Sequence, residues 1–168
     1  MFTPNTTQSS TSNAGYQRVF KLGKLILGVF FPIEAFNGDM PTMQNQVALA
    51  QFVECAGFTS LAFRDVPLRH PIHTAKAAAS IDQLSHGLLL LGVASGDRPI
   101  EFPAFGVDFE TRGQAFREKL KLLKIYWSHY FPQVDSSFGH TARADVIPKP
   151  VASHVPLLVT VHSQQDFS

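Results

Sequence analysis

Four short runs of this chain are apolar or nearly so: Leu25–Ile33, Phe58–Phe63, Leu88–Ala94 and Pro156–Val161. None shows the strict in–out alternation of a strand with one wet face. Continuous apolar runs of this length are what strands buried on both faces require. Between them, apolar residues return at helical intervals. Met43, Val47, Ala50 and Val53 predict one helix, with Asp39 as cap, Pro41 in the first turn and Gly57 as stop. Ala75, Ala77, Ala78, Ala79 and Ile81 predict a second over Ile72–Leu84, ended by Gly87. Phe116, Leu120, Leu123 and Trp127 form one stripe of a third, over Arg112–Trp127. The proline- and histidine-spotted stretch Ser128–Val155 reads as loop. Residues 1–17 are rich in Ser, Thr, Asn and Gln and read as a disordered polar tail ahead of a domain at 18–168.

Strands that alternate with helices imply an α/β fold with parallel pairing. Sites in such folds gather at the C-terminal strand ends. Here those ends carry Phe31-Pro32-Ile33-Glu34, Arg64-Asp65, Ser95-Gly96-Asp97-Arg98 and Thr160-Val161-His162. The helix over Ile72–Leu84 is long enough to cross between the second and third runs in one parallel sheet.

Composition narrows the function. The 14 Lys and Arg against 13 Asp and Glu give a net charge of +1. That balance offers no cation excess for a nucleic-acid backbone. With 45% hydrophobic residues the chain is able to build a core. No apolar run reaches the ~20 residues of a membrane helix. The N-terminus has neither the charged nor the apolar region of a secretory signal. Cys55 is the single cysteine, so no intrachain disulfide or thiolate zinc site forms, which fits a reducing, cytoplasmic setting. We read Cys55 as a packing residue.

Familiar chemical motifs do not fit. There is no G-x-x-x-x-G-K-[ST] and no G-x-G-x-x-G, and Gly92-Val93-Ala94-Ser95-Gly96 is not a nucleophile elbow. His70 and His73 lack a third metal ligand and read as a surface pair at a helix start. Lys119, Lys121 and Lys124 read as a solvated face. A flavodoxin-like nucleotide binder would need a phosphate-cradling turn after the first strand, and Pro32–Gly38 lacks one.

Four blocks, in order, resemble the luciferase-like monooxygenase family: Leu27–Pro32; Ala56–Leu61 with Phe63-Arg64-Asp65; Leu68–Leu84; and Leu88–Pro99 continuing through Glu101-Phe102 and Phe105–Gly113. Leu158–Gln164 is similar to the family's fifth strand and turn. The resemblance implies a (β/α)8 barrel, a reduced flavin (FMN or a deazaflavin) and oxidation of an organic substrate by oxygen or hydride transfer. It puts Phe30, Phe31, Pro32, Asp65, Ser95, Gly96, Asp97, Arg98 and Thr160 at the flavin, with Arg98 and His162 as candidate catalytic groups. A flavin needs a flat apolar wall, amides along its polar edge and a nearby cation; Arg98 is the cation of choice.

Such a barrel typically takes ~250 residues, and this chain has 168. By the resemblance, the family's third strand and strands six to eight are missing, leaving a partial barrel of about four parallel strands and three helices. The expectation is therefore a shortened oxidoreductase with weak flavin affinity, whose open sheet edges self-associate. The alternative is a non-catalytic half-barrel interaction module that pairs with a copy of itself or with a full-length relative.

Overall fold

In a computed structural model of the protein, residues 13–21, 23–24, 27–30, 45–58, 60–62 and 68–159 are described. They form helices α1 (Ala14–Val19), α2 (Gln46–Cys55), α3 (Pro71–Leu84) and α4 (Arg112–Ser128). The strands are β1 (Gly28–Phe30), β2 (Ser60–Ala62), β3 (Leu91–Val93), β4 (Val134–Ser136), β5 (Gly139–Thr141) and β6 (Leu157–Val159).

The four apolar runs each contain a strand, α3 and α4 fall where the periodicity puts them, and α2 occupies the described part of the helix expected from Met43 to Val53. The pairing differs from the single sheet we expected. β1 pairs with β2 in parallel, Val29 opposite Leu61. β3 pairs with β6 in parallel, Gly92 opposite Leu158. Among the described residues the strands thus make two βαβ units, β1–α2–β2 and β3–α4–β6, and β2 does not take β3 as its neighbour. Each strand is three residues long and offers few ladder bonds, so helix packing decides the arrangement.

That packing centres on α3 against α4. Ala75, Ala78 and Ala79 of α3 are small enough to admit the bulk of Leu122, Leu123, Tyr126 and Trp127, all buried. Trp127 Nε1–H donates to the Ala75 carbonyl at 3.0 Å, which satisfies the one polar atom of the buried indole. Val134, Val146 and Val155 close the cluster from the segment after α4. Ala77 and Ile81, read from sequence as carriers of α3, face outward instead.

Two elements escape the sequence pattern. α1 begins within the stretch read as a polar tail. Asn13 caps it, its Oδ1 accepting from Tyr16 N–H at 3.0 Å, and Gly15 lies against the chain before β3, its N–H donating to the Gly87 carbonyl at 3.2 Å. An antiparallel hairpin, β4–β5, stands in the segment read as loop, with Asp135 opposite His140. Cys55, read as a packing residue, is exposed. It ends a helix whose only well-buried apolar residue is Val53, at 5% exposure, while Val47 and Phe52 are 71% and 69% exposed. No helix among the described residues is long and apolar enough to cross a membrane.

Candidate functional site

The C-terminal end of β3 is where the described structure assembles chemistry. After Val93 the chain runs through Ala94, Ser95, Gly96, Asp97 and Arg98 into two 3-10 turns, Pro99–Glu101 and Pro103–Phe105. Gly96 and Gly106 turn at φ 92° and 64°, a backbone region that favours glycine. Asp108 then prepares the entry to α4: its Oδ1 accepts from Glu110 N–H at 3.1 Å and its carbonyl from the Thr111 hydroxyl at 3.0 Å.

Between this loop, α4 and the hairpin lies a small cleft. Phe102, Phe116 and Phe138 form its apolar walls, and Ser95, Arg112 and Lys119 bring polar groups to it. Phe102 is 1% exposed and meets Phe109 edge-on, centroids 5.0 Å apart. The Arg112 guanidinium stacks on Phe109 at 3.8 Å and donates to the Phe109 carbonyl at 3.0 Å. Lys119 Nζ stands 5.3 Å from the centre of the Phe138 ring, within range of a cation–π contact. Burial pulls the Lys119 ammonium below the ordinary lysine range. Among the described residues, two cations and no carboxylate line the cleft.

The residues predicted for the site fare unequally. Ser95 lines the cleft. Arg98 engages Glu101, Nη1 to Oε1 3.6 Å, across the first 3-10 turn. Asp97 is exposed beside it. Phe30 ends β1. Phe31, Pro32, Asp65, Thr160 and His162 lie outside the described residues, as does the Asp39–Pro41 helix start.

Sequence reasoning missed Lys119, Arg112 and Phe138. Lys119 does not belong with exposed Lys121 and Lys124. It follows Phe116 by three residues and Ala115 by four, which places it on their face of α4. That spacing was the available signal. His70, read as half of a surface pair, is a bridge. Its Nδ1 accepts from Ile72 N–H at 3.2 Å, capping α3, while Nε2–H donates to the Phe138 carbonyl at 2.8 Å. The two bonds assign the neutral tautomer. Among the described residues no group of three metal-ligating side chains exists.

As its described residues line it, the cleft is too small for a flavin. Its free volume is about 40 Å³, room for a few waters. A tricyclic ring with its side chain needs a site several times larger. The described residues supply one apolar, cationic wall.

Two parallel βαβ units, with a cleft at the C-terminal end of a strand, define an α/β protein. The chain belongs to the luciferase-like monooxygenase family, whose model matches residues 60–166. It is 35% identical over 95 residues to uncharacterized proteins of Mycobacterium tuberculosis (Rv0953c) and Mycobacterium bovis (Mb0978c). Those matches cover 56% of this chain and 34% of theirs, so the chain spans about a third of the curated relatives it matches. Monooxygenase RslO1 from Streptomyces bottropensis shares the fold over 59% of this chain and 31% of its own, at a TM-score of 0.54 and 24% identity. The oxygenating constituent of 3,6-diketocamphane monooxygenase from Pseudomonas putida, a type II Baeyer–Villiger enzyme in complex with FMN, does so at 0.55 and 15%. There the likeness covers 79% of this chain and 40% of that one. At these identities the likeness concerns the fold.

Proposed function

We propose that this chain carries part of a luciferase-like, flavin-dependent oxidoreductase acting on an organic substrate, and that on its own it binds flavin weakly. The observation that supports this most is the wall at the end of β3. Ser95, two cations and three phenylalanines meet there, in a chain whose family model spans that segment. Phe31, Pro32, Asp65, Thr160 and His162 belong to the proposal on sequence grounds, and FMN or a deazaflavin is the cofactor class. A cytoplasmic setting fits the single, exposed thiol.

A second reading, the interaction module, is favoured by one observation: α2 is apolar nearly all round yet buries little besides Val53. A helix of that kind normally sits inside a larger structure. Titration with oxidised and reduced FMN, read by fluorescence quenching alongside native mass, separates the two. Weak, non-saturating quenching at micromolar flavin by a monomeric chain agrees with the proposal. Saturable micromolar binding by a compact monomer overturns its second half. No quenching at any concentration, with a stable dimer, favours the module.

A further inference from the structure

The β4–β5 hairpin meets the cleft at one point, its tip. Phe138, the second residue of the turn, lends its ring to the cleft wall beside Lys119. The hairpin itself is slight. Each strand has three residues, and of its six strand residues only Val134 belongs to the core. An isolated ribbon of that size is marginal in water. Its position rests on Val134, on the partly buried Phe138 ring packed against the core, and on side-chain bonds from the two main helices. From α4, Glu118 takes both the Ser137 amide at 2.9 Å and the Ser137 hydroxyl at 2.5 Å. From the start of α3, His70 Nε2–H reaches the Phe138 carbonyl at 2.8 Å, its ring edge-on to the phenyl at 6.0 Å. Tyr126 and Thr141 hydroxyls meet at 3.0 Å nearer the base.

The base has a further feature. Phe131, ahead of β4, and Arg143, after β5, both adopt left-handed φ, 48° and 57°. Non-glycine residues there cost free energy and gather at switch regions. A ribbon flanked at both ends by such residues, and fastened at its tip by polar bonds, has the construction of a hinged cover.

We propose that the β4–β5 hairpin is a latched lid over the Ser95–Lys119 cleft, with Glu118 and His70 as the latch. Both are positioning residues: they hold Phe138 against the cleft. Opening swings the phenyl off Lys119 and admits solvent to the amine. The latch is independent of the flavin reading, since it needs only the hairpin, α3 and α4.

The test is site-resolved acylation of lysines by a small anhydride, quantified by peptide mass spectrometry on the full chain. Lys121 and Lys124 are exposed references, and Lys149, its side chain 14% exposed and triply bonded, reports general loosening. In the wild type Lys119 is expected to react more slowly than Lys121. Glu118→Gln weakens a charge-assisted bond pair at an exposed site, which raises the Lys119 rate about ten-fold with Lys149 unchanged. His70→Asn, which keeps a capping side chain for α3, does the same through the other arm. Three results overturn the proposal: Lys119 reacting as fast as Lys121 in the wild type, unchanged Lys119 rates in both variants, or Lys119 and Lys149 rising together.

Discussion

Lys149 fastens the segment after the hairpin to the end of α4, and its removal is the sharpest test of what holds this fold. Its ammonium donates to the Tyr126 carbonyl at 2.8 Å, the His129 carbonyl at 2.6 Å and Asp145 Oδ1 at 2.6 Å. A cation there also meets the negative end of the α4 dipole. The side chains of Lys149 and Asp145 are only 14% and 3% exposed. Lys149→Met keeps the stem and removes the charge. It strands a buried carboxylate and two helix-end carbonyls, at about 3 kcal/mol, the low end for a broken buried pair because water still reaches the lysine side. For a domain of this size that is a fall of roughly 6–12 °C in Tm. Burial alone would raise the Asp145 carboxyl. The Lys149 bond, the Val146 amide at 2.8 Å and the Lys149 charge outweigh it and hold the group below the usual aspartate range. In the wild type, then, Asp145 contributes stability that is fully present above its unfolded value, about pH 4, and is lost as pH falls through the lower folded value. In Lys149→Met the Val146 amide still favours the charged form, but burial is no longer opposed by the Lys149 bond and charge, so the carboxyl takes up a proton at higher pH than in the wild type and part of the damage is relieved. The gap between the two proteins is widest at neutral pH and narrows toward pH 4–5. Urea unfolding at several pH values, followed by emission from Trp127, the sole and buried tryptophan, measures it. A loss below about 1 kcal/mol at pH 7, or a gap that widens on acidification, refutes the clamp.

Other predictions are briefer. Gly15→Ala sets a Cβ against the Leu88 carbonyl. It costs about 1–3 kcal/mol or lifts α1 away, and unchanged exchange of the Gln17 amide together with an unchanged midpoint would contradict this. Trp127→Phe loses the bond to the Ala75 carbonyl and leaves a void between α3 and α4. The expected loss is about 2–4 kcal/mol by circular dichroism. The Ser137 hydroxyl and then its amide hold the Glu118 carboxyl below the ordinary glutamate range. Its support of the hairpin is therefore present above the unfolded glutamate value and lost as pH falls through the folded one. Amide exchange at Ser137 should show that loss in the wild type and not in Glu118→Gln.

The strands and helices were legible because their physics is local. A run such as Leu88–Ala94 has no polar face to turn outward, and the stripe Phe116–Trp127 closes on itself only as a helix. The pairing was not legible, because it depends on which helix face finds which partner. α3 carries apolar residues on two sides, and nothing in the spacing says that Ala75, Ala78 and Ala79 go inward while Ala77 and Ile81 do not. The answer lies in the bulk of Trp127 and Tyr126 opposite. The hairpin was hidden for a different reason. Val134–Thr141 has no alternation and no Asn-Gly or Asp-Gly turn. It is held by Glu118 and His70, which are distant in sequence.

The same distinction separates the parts of the candidate site. Ser95, which lines the cleft, could be named from sequence because a strand end is a position the pattern itself marks. Arg98, chosen as the cation near the flavin, stands beside Glu101, three residues on, and a short turn between opposite charges makes that pairing local. Lys119 was set aside as one of three surface lysines, yet it is the one whose i−3 and i−4 neighbours, Phe116 and Ala115, face the cleft. A cation on the apolar side of a helix has to be held there by something that covers it, and the Phe138 ring is part of that cover. Lys119 and the hairpin thus meet at the cleft: the Phe138 ring covers one side of the amine, and without the cleft the hairpin tip would have nothing to close.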